Sequence, residues 1–262
     1  MKLDFYKYQG TGNDFVLVDD RKQQFDINNH ELVAKLCDRH FGIGADGFML
    51  IRNCIQGTDF QMIYFNADGQ ESSMCGNGGR CIVAFANYLG ISNQKTTFMA
   101  IDGLHEATLT DTIVSLKMND VLTVQQGTDY FYLNTGSPHY VCYVDDIHTY
   151  NVVEKGKAIR YSKTYYPKGT NVNFISEVAT DAIYVRTYER GVENETFSCG
   201  TGVTAAAIAH CLAKKQPQGI HTTRITTSGG ELQVDFTFSA NQFTNIYLTG
   251  ATNQVFHGEI TL

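Results

Sequence analysis

Short apolar runs separated by polar turns make up most of the 262-residue chain. In the first half, GFMLIR (47–52) and FQMIYF (60–65) have the length and composition of β-strands. The segments TTFMAID, HEATLTD and TIVSLKM, within 96–118, add strands separated by polar turns. The first half is therefore predicted to be rich in strands.

Two segments of the first half show helical spacing of their apolar residues. NNHELVAKLCDRH (28–40) predicts a helix with Asn28 or Asn29 as its N-cap, and the segment from Gly79 to Leu89 predicts a second. The second half repeats this organisation. Its predicted strands are YFYLNT, HYVCYV, NVNFIS and AIYVRTY, and its predicted helix runs from Val203 to Lys214.

Two short motifs recur 124 positions apart, from 75 to 199 and from 12 to 136. The tetrapeptides CGNG, beginning at Cys75, and CGTG, beginning at Cys199, each precede a predicted helix. GNDFVLVD (12–19) resembles GSPHYVCYVD (136–145), and an apolar strand with an acidic loop precedes each cysteine. Three matches in the same order indicate an internal duplication of about half the chain.

The duplication predicts a mixed α/β (α+β) fold made of two pseudosymmetric domains. Each domain is expected to surround a central helix with a strand-rich sheet or barrel. We place the boundary near residues 118–122, which gives an N-terminal half at 1–118 and a C-terminal half at 119–251. A chain of this length can hold two domains with cores of their own.

Composition narrows the classes of partner. Lys and Arg total 20 against 27 Asp and Glu, a net charge of -7, so the basic surface typical of nucleic-acid or anionic-membrane binding is not expected. The N-terminal MKLDFYKYQG lacks the apolar centre of a signal peptide, and no run approaches the roughly 18 apolar residues of a membrane span. We therefore expect a soluble cytoplasmic protein.

The seven cysteines form an odd set without a C-x-x-C pair, which favours reduced thiols over disulfides or a zinc site. Cys81 and Cys211 lie inside predicted helices and are expected to be core residues. Cys75 and Cys199 differ, because a thiol at a helix start lies at the positive end of the helix dipole. That position can lower a thiol pKa from about 8.5 to roughly 3.5–7.5.

Glycines beside these two cysteines let a ligand approach the N–H groups of the helix start, and a carboxylate suits that position. If the halves pack about a pseudo-twofold axis, the thiols face each other across an interdomain cleft, which is the expected active site. A thiolate on one side of an amino acid's Cα and a thiol on the other could remove a proton and return one with inversion. This chemistry needs no cofactor, and the eight histidines show no metal-ligand spacing.

The chain resembles the diaminopimelate epimerase family along nearly its whole length. The motifs GTGNDFVLVD, HFGIGADG, FNADG, MCGNGGRC, GSPHYV, NVNF, TYERG and SCGTG occur in the family's order, from about residue 7 to about residue 210. The family interconverts LL- and meso-diaminopimelate without a cofactor, in lysine and peptidoglycan-precursor biosynthesis. The resemblance implies this small-molecule substrate, no metal, an active site between two α/β domains and a homodimer.

By this resemblance Cys75 and Cys199 are the two catalytic bases. The residues implied in substrate binding are Asn13, Asn66, Gly76, Asn77, Asn171, Glu189, Arg190, Gly200 and Thr201. Arg190 is suited to bind a carboxylate through two N–H groups, and Glu189 to accept from an ammonium. His139 and Glu189 are implied as modulators of the thiol pKa values, since a change in the protonation of His139 would shift them.

The chain departs from the family at two positions. Many members carry glutamine in place of Gly47 and asparagine in place of Ser137. The resemblance also implies that the last strand, about 252–262, joins the first domain.

Two other functions fit parts of this pattern. A proline or hydroxyproline racemase would share the fold and the paired thiols, but that family typically shows histidine where this chain has Asn77. The Glu189-Arg190 pair also suggests a substrate with a second charged end. The non-enzymatic alternative is a thiol redox protein or a module that binds an acidic ligand. Against it, no resolving cysteine lies two residues from either thiol, and ligand capture alone needs no cysteine in both halves.

Overall fold

The computed structural model describes residues 2–54, 57–72 and 74–262, and these divide into two compact units. Unit 1 holds the residues up to Leu116 together with Gly250–Leu262, and unit 2 holds Lys117–Thr249. Each unit has a buried apolar cluster of its own. Ser73, in the acidic loop predicted before Cys75, lies outside the described residues. The interpretation of the units as two epimerase halves stays a prediction.

The described residues form four helices and seventeen strands. In chain order they are β1 (Lys2–Gly10), β2 (Asn13–Asp19), α1 (His30–Cys37), β3 (Gly47–Arg52), β4 (Phe60–Asn66), α2 (Gly76–Tyr88), β5 (Lys95–Ala100), β6 (Gly103–Thr110), β7 (Ile113–Lys117), β8 (Val124–Gln126), β9 (Phe131–Asn134), β10 (Pro138–Tyr143), α3 (Val152–Arg160), β11 (Asn171–Ala179), β12 (Ala182–Glu189), β13 (Asn194–Thr196), α4 (Gly200–Ala213), β14 (Gly219–Thr227), β15 (Gly230–Ser239), β16 (Gln242–Ala251) and β17 (Asn253–Thr261).

In unit 1, β1 pairs antiparallel with β17 on one side and with β2 on the other. β2 and β3 are parallel and are joined through α1, and β4 returns antiparallel to β3. β4 and β5 are again parallel, joined through α2, and β6 and β7 continue antiparallel. Both helices therefore occupy crossover connections, which parallel strands require.

Unit 2 repeats this order of connections. β10 and β11 are parallel and joined through α3, and β12 is antiparallel to β11. β12 and β14 are parallel and joined through α4, and β15 is antiparallel to β14. β8 and β9 extend the sheet beyond β10. The same sequence of parallel and antiparallel steps in both units confirms the predicted duplication and the mixed α/β class.

The predicted helix at 28–40 is present but shorter, because polar side chains end it on both sides. The side chain of Asn29 accepts a hydrogen bond from Leu32 N–H at 3.0 Å and acts as the N-cap. At the other end, the Asp38 carboxylate accepts from the N–H groups of His40 and Phe41, both at 2.7 Å, which stabilises a turn in place of another helical turn.

The two central helices begin three residues earlier than predicted, at Gly76 and Gly200. Glycine disfavours helix in isolation, but here packing overrides that preference. A Cβ at Gly202 would lie 2.4 Å from Asn173 Oδ1, so only glycine lets this first turn approach β11 so closely. α4 is buried along almost its whole length. None of the helices in the described part of the chain is long and apolar enough to cross a membrane.

α3 was not predicted from the sequence. Asn151 caps it, accepting from Glu154 N–H at 3.3 Å and donating to the Glu154 carboxylate at 2.8 Å. Gly156 in its middle weakens the helical pattern, yet a Cβ there would lie 2.3 Å from Tyr188 Cβ. The glycine is thus needed for α3 to pack on β12, and α3 is the counterpart in unit 2 of α1 in unit 1.

Candidate active site

In unit 1, Cys75 is the N-cap residue of α2, with φ −94° and ψ 133°. The Gly79 N–H donates to the Cys75 carbonyl at 2.6 Å, which begins the helical hydrogen-bond pattern. The N–H groups of residues 76–78 precede that bond and point out of the helix start. An anion placed beside them is stabilised by these groups and by the helix dipole, so the half-buried thiol lies next to a site suited to a carboxylate.

Asn13, at the start of β2, places an acceptor oxygen against the Cys75 thiol. Its Nδ2 donates to Asp46 Oδ2 at 2.7 Å, and since a carboxylate only accepts, the orientation of the amide is fixed. Asn13 Oδ1 then lies 3.7 Å from Cys75 Sγ and 3.4 Å from Asn77 Nδ2. This environment suits the protonated thiol, whose S–H can donate to the amide oxygen.

Asp14 and Asp46 belong to a cluster of ion pairs behind Asn13. Lys7 lies 2.8 Å and Arg39 2.7 Å from the Asp14 carboxylate, and Arg39 also reaches Asp46 at 2.8 Å. Burial on its own raises the pKa of Asp14, but the hydrogen bonds from Arg39 and Lys7 outweigh it and lower that pKa to about 2. The cluster therefore fixes Asp46, and through it Asn13.

Arg80, in the first turns of α2, is a fully buried cation. Its Nη2 donates to Asn77 Oδ1 at 2.7 Å and to Thr11 Oγ1 at 3.1 Å, and its Nη1 to the Ala251 carbonyl at 3.0 Å. Among the described residues, no Asp or Glu acts on its charge. Burial lowers the pKa of Arg80, whereas the negative charge of Cys81 or Cys75 in its thiolate form would raise it.

The charge of Arg80 interacts with both Cys81 and Cys75. Burial raises the pKa of Cys81 to about 12, so that thiol is protonated at neutral pH, as expected for a core cysteine. Removing one proton from Cys75 would compensate the buried guanidinium. Unit 1 thus combines an amide oxygen that favours the thiol with a cation that favours the thiolate.

Gly47 and Asn66 face each other across β3 and β4 at the same end of the sheet as Asn13. Asn66 is exposed at the end of its strand. A Cβ at Gly47 would lie 2.9 Å from the Phe65 carbonyl oxygen and 2.6 Å from the Tyr64 ring. A glutamine at this position, as in many family members, would therefore require the Tyr64 ring to move.

In unit 2, Cys199 is the N-cap residue of α4, with φ −120° and ψ 111°, and is 6% exposed. The Val203 N–H donates to the Cys199 carbonyl at 2.9 Å, the same bond that begins α2 in unit 1. Cys199 Sγ lies 3.5 Å from the Thr201 hydroxyl, a group that can donate to it. One partner of this thiol is thus a hydroxyl, whereas one partner of the Cys75 thiol is an amide oxygen.

The Thr201 hydroxyl belongs to a partly buried polar network. It lies 2.9 Å from His139 Nε2 and 3.3 Å from Ser137 Oγ, and Ser137 Oγ is itself 2.9 Å from His139 Nε2. Asn171 Nδ2 donates to Ser137 Oγ at 3.0 Å. Ser137, where many family members have asparagine, thus connects Asn171 with the residues beside Cys199.

His139 is fully buried, and this burial lowers its pKa to about 3, with a further lowering from the charge of Arg190. The imidazole is therefore neutral at neutral pH. Any effect of His139 on the thiols at that pH would act through hydrogen bonds instead of a change in its charge.

Glu189 and Arg190 lie where β12 ends. Glu189 Oε2 accepts from the Thr196 hydroxyl at 3.0 Å, and the backbone N–H of Arg190 donates to Asn171 Oδ1 at 2.8 Å. The Arg190 guanidinium donates to the Lys168 carbonyl at 3.4 Å. Within the described ranges no carboxylate forms an ion pair with Arg190, so its charge is available to a carboxylate of a ligand.

Polar contacts connect some of the predicted site residues with the helix starts: Asn13 with Cys75 and Asn77 in unit 1, and His139, Asn171 and Arg190 with Thr201 through hydrogen bonds in unit 2. Asn66 lies opposite Gly47 at a strand end, and Glu189 accepts from Thr196. Sequence reasoning missed Arg80 and Asn173. A charged residue within the apolar pattern of α2 was a signal for the first, and the N-x-N spacing, which puts Asn171 and Asn173 on one face of a strand, was a signal for the second. The described residues contain no cluster of three or more His, Cys, Asp or Glu that could hold a metal.

Comparison with solved structures shows relatives of the fold. A phenazine biosynthesis protein of the PhzF family from Bacillus anthracis superimposes with a TM-score of 0.81, at 12% identity, over 100% of both chains. A hydroxyproline epimerase from Agrobacterium vitis, with bound trans-4-hydroxy-L-proline, gives 0.72 at 16% identity, over 100% of this chain and 93% of its own. At these identities the likeness concerns the fold alone.

Comparison of sequences is more specific. The sequence model described as diaminopimelate epimerase matches residues 5–122 and 131–255. A diaminopimelate epimerase from Flavobacterium psychrophilum is 51% identical, over 99% of this chain and 100% of its own. Another, from Aquifex aeolicus, is 40% identical over 99% of this chain and 98% of its own. The paired helix-start cysteines and this similarity over the full length lead to one conclusion: the chain belongs to the diaminopimelate epimerase family.

Proposed function

We propose that this protein is an isomerase that interconverts LL- and meso-diaminopimelate without a cofactor, in lysine and peptidoglycan-precursor biosynthesis. The observation that carries the proposal is the cysteine at the N-cap of a buried helix in each unit, in a chain of this family. A helix start that holds both a thiol and outward N–H groups supplies a base and an anion site together.

In the reaction that we assign to the two thiols, one proton is removed and one is returned in each turnover. One of Cys75 and Cys199, as thiolate, removes the proton from Cα, and the other, as thiol, donates its proton to the opposite face. The configuration inverts, and the two sulfurs exchange protonation states. A single proton shared between two coupled thiols is the working form, so either direction of reaction starts from the same enzyme.

The α-carboxylate of the substrate is assigned to the N–H groups of the helix starts. These donors would stabilise the negative charge that spreads onto the carboxylate when Cα loses its proton. Gly76, Asn77, Gly200 and Thr201 supply them. The Asn77 side chain is fully buried against Arg80, so we assign its backbone N–H, and not its amide, to the substrate.

The distal end of the substrate is assigned to side chains. Arg190 would bind a carboxylate through two N–H groups, and Glu189 would accept from an ammonium. Asn13, Asn66 and Asn171 would complete the hydrogen bonds. A substrate with two amino acid ends needs such charged partners, whereas proline does not.

The decisive experiment incubates the protein with LL-diaminopimelate in deuterated water and measures the deuterium content and the configuration at Cα. We expect deuterium incorporation and meso product from the wild type without added cofactor, and no epimerisation by Cys75→Ala or Cys199→Ala. Cys211→Ala is the matched control, because Cys211 is buried inside α4, where burial raises its pKa to about 11. Its activity should be close to that of the wild type. Inversion of proline with no reaction of diaminopimelate would overturn the substrate, and full activity of either N-cap variant would overturn the two-thiol mechanism.

A homodimer and a cytoplasmic location are further proposals that rest on the resemblance to the family. Light scattering during size-exclusion chromatography would test the first, with twice the monomer mass of 29.2 kDa as the expected result. Cell fractionation would test the second.

A further inference from the structure

Asn173, on β11, is a fully buried polar residue whose carboxamide lies against the start of α4. A Cβ at Gly202 would come within 2.4 Å of Asn173 Oδ1, which shows how closely the two elements approach. A buried carboxamide has up to four hydrogen bonds to satisfy, and its partners determine its orientation.

The partners of Asn173 allow only one orientation of its amide. Nδ2 lies 3.0 Å from the Tyr140 carbonyl oxygen, and because a carbonyl can only accept, this atom must be the NH2 group. On the other side, Oδ1 accepts from the Thr187 hydroxyl at 2.9 Å.

The same NH2 group fixes the tautomer of His139. Asn173 Nδ2 lies 3.1 Å from His139 Nδ1, so Nδ1 is the acceptor. A neutral imidazole whose Nδ1 accepts carries its hydrogen on Nε2. His139 Nε2 is therefore a donor toward Ser137 and Thr201, and it cannot take a hydrogen from either of them.

This donor directs the neighbouring hydroxyl groups. His139 Nε2 and Asn171 Nδ2 can fill both acceptor positions of Ser137 Oγ, at 2.9 and 3.0 Å. Ser137 then donates its own hydrogen to Thr201 Oγ1 at 3.3 Å. Thr201 in turn donates to Cys199 Sγ, 3.5 Å away, and a hydroxyl that donates to sulfur stabilises the thiolate.

We propose that Asn173 is a positioning residue, which fixes the Nε2–H tautomer of His139 and thereby directs the Thr201 hydroxyl hydrogen toward Cys199. The functional part of this inference rests on the proposed role of Cys199 as a base. An aspartate at position 173 would reverse the arrangement. Its carboxylate only accepts, so His139 Nδ1 would have to carry a hydrogen, and a neutral His139 Nε2 would then accept the Thr201 hydrogen in place of Cys199.

The test compares Asn173→Asp and Asn173→Leu with the wild type. The 15N signals of the His139 imidazole, identified by their loss in His139→Gln, report the tautomer. The alkylation rates of Cys199 and Cys75 by iodoacetamide at pH 7, measured by mass spectrometry on the same molecules, report the thiolates. We expect Nε2–H in the wild type, Nδ1–H in N173D and a mixture in N173L.

In N173D, the Cys199 alkylation rate and kcat should fall about 10- to 100-fold, the effect of losing one hydrogen bond to a charged group, with KM nearly unchanged. In N173L, the Cys199 alkylation rate and kcat should fall less than in N173D. Alkylation of Cys75 should stay constant, because its surroundings in unit 1 are untouched, and this separates the effect from misfolding. If N173D does not fold, the proposal is tested with N173L alone, in which we expect a mixture of His139 tautomers and slower alkylation of Cys199 than in the wild type.

Thr187→Val is the matched control, since it removes the hydroxyl on Asn173 Oδ1 but leaves Nδ2 on Tyr140 and His139. It should lower stability and keep both the tautomer and the ratio of alkylation rates. Nδ1–H in the wild type, or unchanged Cys199 alkylation in a folded N173D or N173L, would overturn the proposal. The tautomer and the alkylation rates are measured without substrate, unlike kcat and KM. A protein that showed the expected tautomers and alkylation rates but left diaminopimelate unchanged would therefore contradict only the proposed function.

Discussion

The starts of α2 and α4 share a backbone design and differ in the side chains around the sulfur. Each has a cysteine at the N-cap followed by Gly-x-Gly in the first turn. An amide oxygen lies beside the Cys75 sulfur, and the buried cation Arg80 interacts with Cys75 electrostatically. Around Cys199 it places a hydroxyl and a neutral imidazole, His139. The duplication preserved the helix start, whereas the means of controlling the proton on each sulfur diverged.

The two sulfurs that we propose as bases therefore lie in surroundings that are not symmetrical. A two-base epimerase needs the two protonation states to be close in free energy, so that either sulfur can hold the proton. Unit 1 can adjust that balance with a charge and unit 2 with the direction of a hydroxyl hydrogen. A substitution at one helix start should therefore leave the other unchanged, as an internal control.

The largest effect is expected from a methyl group at Gly202, the second glycine of the helix start in unit 2. In Gly202→Ala the Cβ would lie 2.4 Å from Asn173 Oδ1 and 3.2 Å from Cys199 Cβ, both held in place by their surroundings. We expect a loss of about 2–3 kcal/mol in the free energy of unfolding. Activity should fall at least about 100-fold, because the same contact displaces a proposed base.

Gly78→Ala is the matched variant in unit 1. Its Cβ would lie 2.7 Å from Met49 Cε, the end of a flexible side chain that can turn away, so the expected loss is about 1 kcal/mol or less. Urea unfolding and turnover of both variants measure the difference. Equal losses at the two positions would contradict the contrast between a rigid and a flexible neighbour.

The two units also differ in the pH at which a buried group begins to lower the stability of the fold. The pKa of His139 is lowered to about 3 in the folded protein, whereas in the unfolded chain it would be near 6.5. As pH falls below about 6.5 the unfolded state gains a proton that the folded state refuses, so stability falls by about 2 kcal/mol between pH 6.5 and pH 5. Asp14, with its pKa lowered to about 2, keeps its contribution until the pH falls below about 4.

Unfolding in urea at pH 7, 6 and 5 measures this dependence. His139→Gln should be less stable at pH 7 but should lose the decline between pH 6.5 and pH 5. Asp14→Asn should be less stable at pH 7 and should retain that decline. A decline of the same slope in H139Q would show that another group causes it.

The smallest effect is expected from replacement of the buried cation. Arg80→Met removes the charge beside Cys75 while keeping much of the apolar volume, so alkylation of Cys75 at pH 7 should slow about tenfold and that of Cys199 should not change. Arg80→Lys, which keeps the charge, should recover part of the rate. Equal slowing of both thiols in R80M would indicate a general loss of structure and would contradict a specific role for Arg80.

The elements predicted with success have local causes. The strands at 47–52 and 60–65 follow from apolar runs of strand length, the α1 cap from Asn29, and the two helix starts from the repetition of Cys-Gly-x-Gly. The failures have causes that lie elsewhere in the fold. The first turn of α4 is helical despite its glycines, and at Gly202 the close approach of Asn173 on β11 leaves no room for a side chain. In α3, Gly156 is tolerated because Tyr188 of β12 fills the space beside it.

The site shows the same division. The cysteines and the N-x-N motif are visible in the sequence, but the partners that decide their chemistry are not. Arg80 bonds to Thr11, 69 positions away, and to Ala251, 171 positions away. Asn173 fixes His139 across a strand pair from 34 positions away. A single sequence gives no indication of such pairings, because they depend on the register of strands and not on local spacing.

The pairing of β1 with β17 determines when each half can be finished during synthesis. A ribosome completes the whole of unit 2, Lys117–Thr249, before it adds the residues of β17. Until then β1 lacks one neighbouring strand, and Arg80 lacks the carbonyl of Ala251. Unit 2 can therefore fold before unit 1 is complete, although unit 2 is translated later. The helix start around Cys75, in unit 1, reaches its final form last.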